Sequence, residues 1–566
     1  MSIRASRGDQ RARERGRLHH VVPFVAFALL PLPGGAPGAS AAPSSSVVRS
    51  ISSTSSTSSA PRGPIPGTET RPHTVRTTFF DSGVRPLTVG TTTTPVRSWG
   101  VVSAPTDGRG PFPLVMVLHG AHAFCSSGRA RNWPCPDGTE VANHDGFSWL
   151  SEAMARQGFV AVAIGMNAEF ARPADEVGAV TASLVERDVL APLSVPGTKF
   201  ASWLDPAVVD RSTIILLGHS RGGAVAAVLG RGDPGRRLSA PVAAAVLIAP
   251  TSDTVSPELL ADVPTAVVIG SCDGDSGVDG GEFLTAAMPR VRRTPIALFL
   301  MRGATHNAVN ERLRPEPPDW ANPDCADDVR LGEDAQRSQL ADLVPRIIRA
   351  LKGYAAAPAG AGSILDVKRA DDRTAPGIRL VQLDPTLRRR SLLEPSAGWP
   401  SPNARASGLR VVGCPAGMSS PFLAPGTESC RRVELTELVG RPASLHLDWT
   451  AVGGTLRLSH RRLPAGAVLV VRAFADRLSV GPGSDITATV TGSDPGQALP
   501  PWSAQVRFPT AALGEPIAEA GLRRGAVLWS ERRIVLPVAT SATSLTITGP
   551  ITGALDVVGV ESVSTR

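Results

Sequence analysis

A chain of 566 residues, 42% of them apolar, is too long for one ordinary domain; about two to four packed domains are expected. The formal charge of +8 does not describe a nucleic-acid surface. Residues 1–20 carry six Arg against Asp9 and Glu14, so half of the excess sits in a short tail rather than on a fold.

That tail runs into "VVPFVAFALLPLP" and then "GAPGASAAP". A basic stretch, a short apolar run and the small residues Ala39-Ser40-Ala41 make residues 1–42 an export signal, cut near Ala41 or Ala42. The apolar run is shorter than the roughly 20 residues a bilayer requires. No later segment is long and apolar enough for a membrane helix, so stable membrane insertion is not expected. Residues 43–73 are rich in Ser, Thr and Pro and read as a disordered linker. The expected location is extracellular.

Six cysteines fit an exported chain: Cys125, Cys135, Cys272, Cys325, Cys414 and Cys430. Their even number favours disulfides. Proximity pairs Cys125 with Cys135 and Cys414 with Cys430, leaving Cys272 for Cys325. No CxxC or Cys/His cluster points to zinc.

Residues 74–354 alternate strand and helix patterns. "TVRTTFF" and "TPVRSWGVVS" predict two early antiparallel strands. "PLVMVLHG" at 113–120 is a short apolar run of the kind buried on both faces of a sheet. "HDGFSWLSEAMARQGF" predicts a helix capped by Asp145 and ended by Gly158. "FVAVAIG", "STIILLG", "VAAAVLIAP", "PTAVVIG" and "PIALFLM" are further buried strands. "SRGGAVAAVLG" and "EDAQRSQLADLVPRIIRALKGY" are helices. The fold class is therefore α/β, a mostly parallel sheet covered on both faces. Residues 166–211 leave room for a small helical insertion. A linker at 355–364 leads to short strand patterns separated by Gly, Pro, Asn and Asp, which predict an all-β sandwich over 365–566.

The chemistry is read from "LLGHSRGGAVAAV" at 216–228. Gly218-His219-Ser220-Arg221-Gly222 lies between a buried strand and a helix, the setting of a nucleophile elbow. Small flanking residues let the turn close, and the helix N-terminus favours developing negative charge. A serine nucleophile needs a base, and the base needs an orienting carboxylate. On such a sheet the order is serine, acid, histidine. "AVVIGSCDGDSG" ends a strand with Asp273 and, as the alternative acid, Asp275. "LFLMRGATHNAVN" ends the last strand with His306, the only histidine between Ser220 and His446. The oxyanion hole is expected from the amides of Arg221 and Ala121.

Metal readings are weaker. "DGDSGVDGG" hints at a calcium loop, but position twelve from Asp273 is Leu284, not Glu. His119 and His122 lack a carboxylate partner nearby. No metal and no cofactor is expected. Trp133, in the loop between Cys125 and Cys135, either lines a subsite or packs the loop.

The pieces "VLHG", "GHSRGG", "GSCDGD" and "GATHN" make residues 74–354 resemble the α/β-hydrolase family. The likeness is to secreted esterases such as dienelactone hydrolases, platelet-activating-factor acetylhydrolases, chlorophyllases and cutinase-like polyester hydrolases. Polyester hydrolases of this group carry an aromatic residue just after the oxyanion strand; Ala121 stands there in this chain. The resemblance implies a serine hydrolase of carboxylic esters, acting on a lipid, a polyester or a small ester. A peptidase or amidase using the same residues, and an inactive binding or adhesive protein, are the alternative readings. The C-terminal region resembles a galactose-binding-like jelly roll in texture, which implies a carbohydrate or polymer surface as partner.

Overall fold

A computed structural model of the chain describes residues 71–126, 133–136, 138–171, 177–252, 262–277, 279–287, 294–313, 325, 329–356, 363–366, 373–375, 377–384, 389–395, 399–414, 436–438, 443–475, 485–494, 501–509, 517–519, 522–527, 530–547 and 554–563. The expected export signal, the expected linker as far as residue 70, and Cys430 lie outside the described residues.

The first sheet has ten strands: β1 (Val75–Val89), β2 (Thr92–Pro105), β3 (Phe112–Leu118), β4 (Val160–Ile164), β5 (Val209–His219), β6 (Val242–Ile248), β7 (Thr265–Gly270), β8 (Ile296–Met301), β9 (Arg373–Ala375) and β10 (Ile378–Asp384). Their order is β1-β2-β4-β3-β5-β6-β7-β8-β10-β9. β3 to β8 run parallel. β1 pairs antiparallel with β2, and β2 with β4.

Alternation along each strand sends neighbouring side chains to opposite faces. Leu114, Met116, Leu118, Ile214 and Leu216 enter one apolar cluster. Val115, Val117, Ile215 and Leu217 enter the other. Helices cover both faces, and seven are described: α1 (Ser148–Arg156), α2 (Asn167–Phe170), α3 (Ala179–Val185), α4 (Ala191–Leu193), α5 (Arg221–Leu229), α6 (Asp279–Ala287) and α7 (Glu333–Ala356). Val225, Leu229, Phe283 and Leu284 of α5 and α6 close the first cluster. Leu150 and Met154 of α1, with Leu343, Ile347 and Leu351 of α7, close the second. Each fully buried Leu or Ile contributes about 2 kcal/mol. A parallel sheet between two helical layers, with a strand–serine–helix corner after β5, is the α/β-hydrolase fold.

Three local expectations change. Asp145 does not cap α1, whose N-terminus has no side-chain cap. A 3₁₀ turn over Asn143–Phe147 precedes the helix, and the Asp145 carboxylate instead meets His144 Nε2 at 3.0 Å and Arg312 Nη2 at 2.9 Å. The 166–211 insertion is a layer of the core, because Val180, Leu184, Val189, Leu193 and Phe200 join the first cluster. The first sheet also continues past residue 354. β10, read from sequence within the sandwich, is antiparallel to β8, with Ile378 opposite Met301 and Asp384 opposite Ile296.

Most of the remaining described strands form two antiparallel sheets; a small third sheet pairs Thr436–Leu438 parallel with Leu522–Val527. One five-strand path runs Leu409–Cys414, Ser444–Trp449, Ala554–Val563, Val468–Ala475, Ser530–Val535; the facing sheet orders Ala404–Ser407, Thr455–Leu463, Thr540–Ile547, Asp485–Ser493, Trp502–Pro509. Leu445, Leu447, Trp449, Leu469, Val471, Ile486 and Phe508 fill the space between them. The outer face of the first of these sheets is buried too, and beside the apolar cluster of Val468, Val470 and Val563 it carries a group of charges. Arg472 Nε donates to Glu531 Oε2 at 2.9 Å, Arg472 Nη1 lies 3.1 Å from Glu561 Oε2, and Arg533 Nε donates to Glu531 Oε1 at 2.6 Å. Strand Ser530–Val535 lies against β10, and Val558 joins the first cluster of the α/β unit. The sandwich is thus packed on the α/β unit, and ion pairs offset part of the cost of burying these charges.

Candidate active site

The chain leaves β5 through a corner. Ser220 has φ 55° and ψ −130°, a conformation that costs a non-glycine residue about 1–3 kcal/mol. Hydrogen bonds hold it there. Its N–H donates to the Ile248 carbonyl at 3.0 Å, and its carbonyl accepts from Gly223 N–H at 2.8 Å. Two glycines make the corner possible. A Cβ on Gly218 would lie 2.1 Å from the Gly222 carbonyl oxygen, and one on Gly222 would lie 2.4 Å from the carbonyl oxygens of Leu118 and His119. Arg221 then opens α5, at the end where amides point outward and the dipole favours negative charge.

The loop after β7 brings Asp273. Asp273 is fully buried, and its Oδ1 accepts from the amides of Asp275 (3.0 Å), Ser276 (2.9 Å) and Gly277 (3.1 Å). Its Oδ2 meets the Ser276 hydroxyl at 2.9 Å and His306 Nδ1 at 3.0 Å. Burial pushes this carboxyl up, but the His306 charge and these hydrogen bonds outweigh it and hold the group below the ordinary aspartate value. A depressed carboxyl adds stability above the unfolded-state pKa, and that stability is lost as pH falls through the folded value. Asp275, the alternative acid, does not share Nδ1. Its Oδ2 lies 3.5 Å from His306 Nε2, and its side chain is 51% exposed.

The loops after β7 and β8 are bolted together. Cys272 N–H donates to the Ala304 carbonyl at 3.0 Å, and Gly303 N–H donates to Ser271 Oγ at 2.8 Å. The Cys272–Cys325 disulfide sits next to Asp273 in the chain, and Cys125–Cys135 also forms. Cys414 is disulfide-bonded. From α7, buried Gln336 accepts from Thr305 N–H at 2.9 Å and donates to the Thr305 carbonyl at 2.7 Å, which fixes the backbone next to His306.

His219, one residue before Ser220, sets its ring against that of His306, with centroids 4.6 Å apart and the planes tilted by 44°. Burial, reinforced by the charges of His306 and His122, keeps His219 well below the ordinary histidine value. It stays neutral and adds no cation beside His306.

The end of β3 closes the group. A Cβ on Gly120 would lie 2.8 Å from Ser220 Cβ. His119 Nε2 accepts from Met166 N–H at 2.9 Å, so the ring proton is on Nδ1, which donates to the Gly120 carbonyl at 2.8 Å. Burial lowers the His119 pKa to about 3, and the ring remains neutral. In a trans peptide N–H and C=O point oppositely. By holding the Gly120 carbonyl, His119 fixes the direction of the Ala121 N–H. Trp133 packs against the first core cluster. Among the described residues no group of three or more His, Cys, Asp or Glu could hold a metal.

Ser276, Gln336 and His119 were not legible as site residues in the sequence. "DGDSG" carried a signal for the first, since Asp side chains accept from amides two residues on. No family model and no curated protein matches the chain. Among solved structures, an esterase of Rhizomucor miehei shares 12% identity over 50% of this chain and 85% of its own, with a TM-score of 0.31. A carboxyl esterase of Tuber melanosporum shares 13% over 48% and 86%, also at 0.31. A protein described as a dienelactone hydrolase from Klebsiella pneumoniae shares 14% over 48% and 98%, at 0.26.

Proposed function

We propose that the chain is an exported serine hydrolase of carboxylic esters. Ser220 Oγ attacks the acyl carbon while His306 Nε2 takes its proton. Asp273 holds the imidazole by Nδ1 and stabilises the imidazolium. The amides of Arg221 and Ala121 receive the tetrahedral oxyanion. His306 then passes the proton to the leaving alcohol, and water, deprotonated by the same nitrogen, resolves the acyl-enzyme. The observation that carries this reading is a strained serine whose preceding residue packs its ring against an imidazole already gripped by a buried carboxylate. Two disulfides support export, because such bonds persist in oxidising compartments.

The test is labelling by a fluorophosphonate together with turnover of a short-chain p-nitrophenyl ester. Ser220→Ala should abolish labelling and lower kcat by about 10⁶-fold. Labelling retained in that variant would place the nucleophile elsewhere. Faster cleavage of matched anilides than of esters would make the enzyme an amidase.

A further inference from the structure

His306 lies between two carboxylates with different surroundings. Asp273 is buried on Nδ1, and Asp275 is half-exposed, 3.5 Å from Nε2. The two are separated only by Gly274, and the Asp275 amide is tied to Asp273 Oδ1 at 3.0 Å. The backbone therefore fixes the base of the Asp275 side chain relative to the imidazole. At 3.5 Å its oxygen is beyond a good hydrogen bond, so it acts on Nε2 through charge.

We propose that Asp275 selects substrates by the charge of their leaving group, favouring cationic alcohols over neutral ones and neutral over anionic. This rests on the hydrolase reading above. In that reaction Nε2 must hand a proton to the leaving oxygen, which has to come within about 2.6–3.2 Å of it. A charge carried two or three bonds beyond that oxygen then lies within a few ångströms of the Asp275 carboxylate. In a half-exposed setting, between the limits of water and interior, such a pair changes the rate by about tenfold. Arg221, beside the nucleophile, also contributes charge. It is common to wild type and to an Asp275 variant, so the comparison between them isolates the carboxylate.

The experiment uses three butyrate esters with alcohols of similar size: a trimethylammonio-ethyl ester, its neutral 3,3-dimethylbutyl isostere and a carboxylate-bearing analogue. In wild type, kcat/KM should fall by about tenfold at each step from cation to neutral to anion. Asp275→Asn should bring the three within about threefold of one another, and Asp275→Glu should keep the order. Raising NaCl to 0.5 M should flatten the wild-type order as well, which a steric role would not do. Equal rates on the three esters in wild type, or an unchanged order in Asp275→Asn, would overturn the proposal while Ser220-dependent hydrolysis of the neutral ester left the hydrolase reading standing. No turnover of any ester and no fluorophosphonate labelling would overturn both.

Discussion

His306 with Asp273 at the rim of the first sheet, and His446 with Asp556 on the outer face of a sandwich sheet, are the same two groups at nearly the same distance, 3.0 and 3.3 Å between Nδ1 and Oδ2. Each aspartate also meets a serine hydroxyl, Ser276 at 2.9 Å and Ser444 at 3.4 Å. Each pair even has a cystine sulfur close in the chain or ladder: Cys272 precedes Asp273, and Cys414 stands opposite Ser444. The surroundings differ. His446 and Asp556 face one another as cross-strand partners in a regular antiparallel ladder, on strands that continue past them. His306 and Asp273 lie in loops beyond parallel strands, whose ends all open on the same side, and a third strand delivers Ser220 there in a strained conformation. A buried His–Asp pair is a common way to satisfy two polar groups. It becomes a candidate for chemistry when the topology brings a nucleophile to it.

The sharpest way to break this comparison is to neutralise both acids. Asp273→Asn should lower kcat by about 10⁴-fold, because the imidazole loses its orienting charge and its tautomer. Asp556→Asn should leave kcat within about twofold of wild type, since the sites are independent. It should cost about 1–3 kcal/mol of unfolding free energy, read by urea denaturation, as a buried hydrogen bond is weakened. Equal losses of rate in the two variants would end the distinction.

The next effect concerns the tether. Cys272 and Cys325 are 53 residues apart in sequence, and releasing a loop of that size costs about 4 kcal/mol in the chain-entropy account. The Cys272→Ser/Cys325→Ser variant should lose that much stability and also slow, because the freed loop carries Asp273. A variant that lost stability but kept full kcat would show that the hydrogen bonds to Ala304 and Ser271 hold the loop unaided. Smallest are the serines. Ser276→Ala should lower kcat by about tenfold, through loss of a hydrogen bond to a charged group. Ser444→Ala should not change the rate measurably.

Much of the first unit could be read before any coordinates. β3 to β8 are short apolar runs because a parallel sheet is covered on both faces, and that pattern has few competing readings. The serine elbow was legible because its glycines are demanded by contacts of 2.1 and 2.4 Å, a steric need that leaves a mark in the sequence. β10 was not legible as part of that sheet. A strand that joins a sheet antiparallel looks, residue by residue, like any strand of a sandwich. The roles of His119 and Gln336 were hidden for another reason: each acts on the backbone of a residue distant or unremarkable in sequence, Met166 and Gly120 for one and Thr305 for the other. The Arg472–Glu531–Arg533 group was equally silent, since isolated charges on strands ordinarily face water.

β10 sets where the chain can be cut. It lies beyond the closing helix, yet it takes up the outer hydrogen-bonding groups of β8, a strand buried along its whole length. A protein stopped at residue 354 would present "IALFLM" with its amides and carbonyls unclaimed, a surface that recruits other chains into fibrils or clumps. Any catalytic fragment intended for crystals or assays must therefore run past Asp384. Precipitation of a shorter one would report a missing rim and not a failed enzyme.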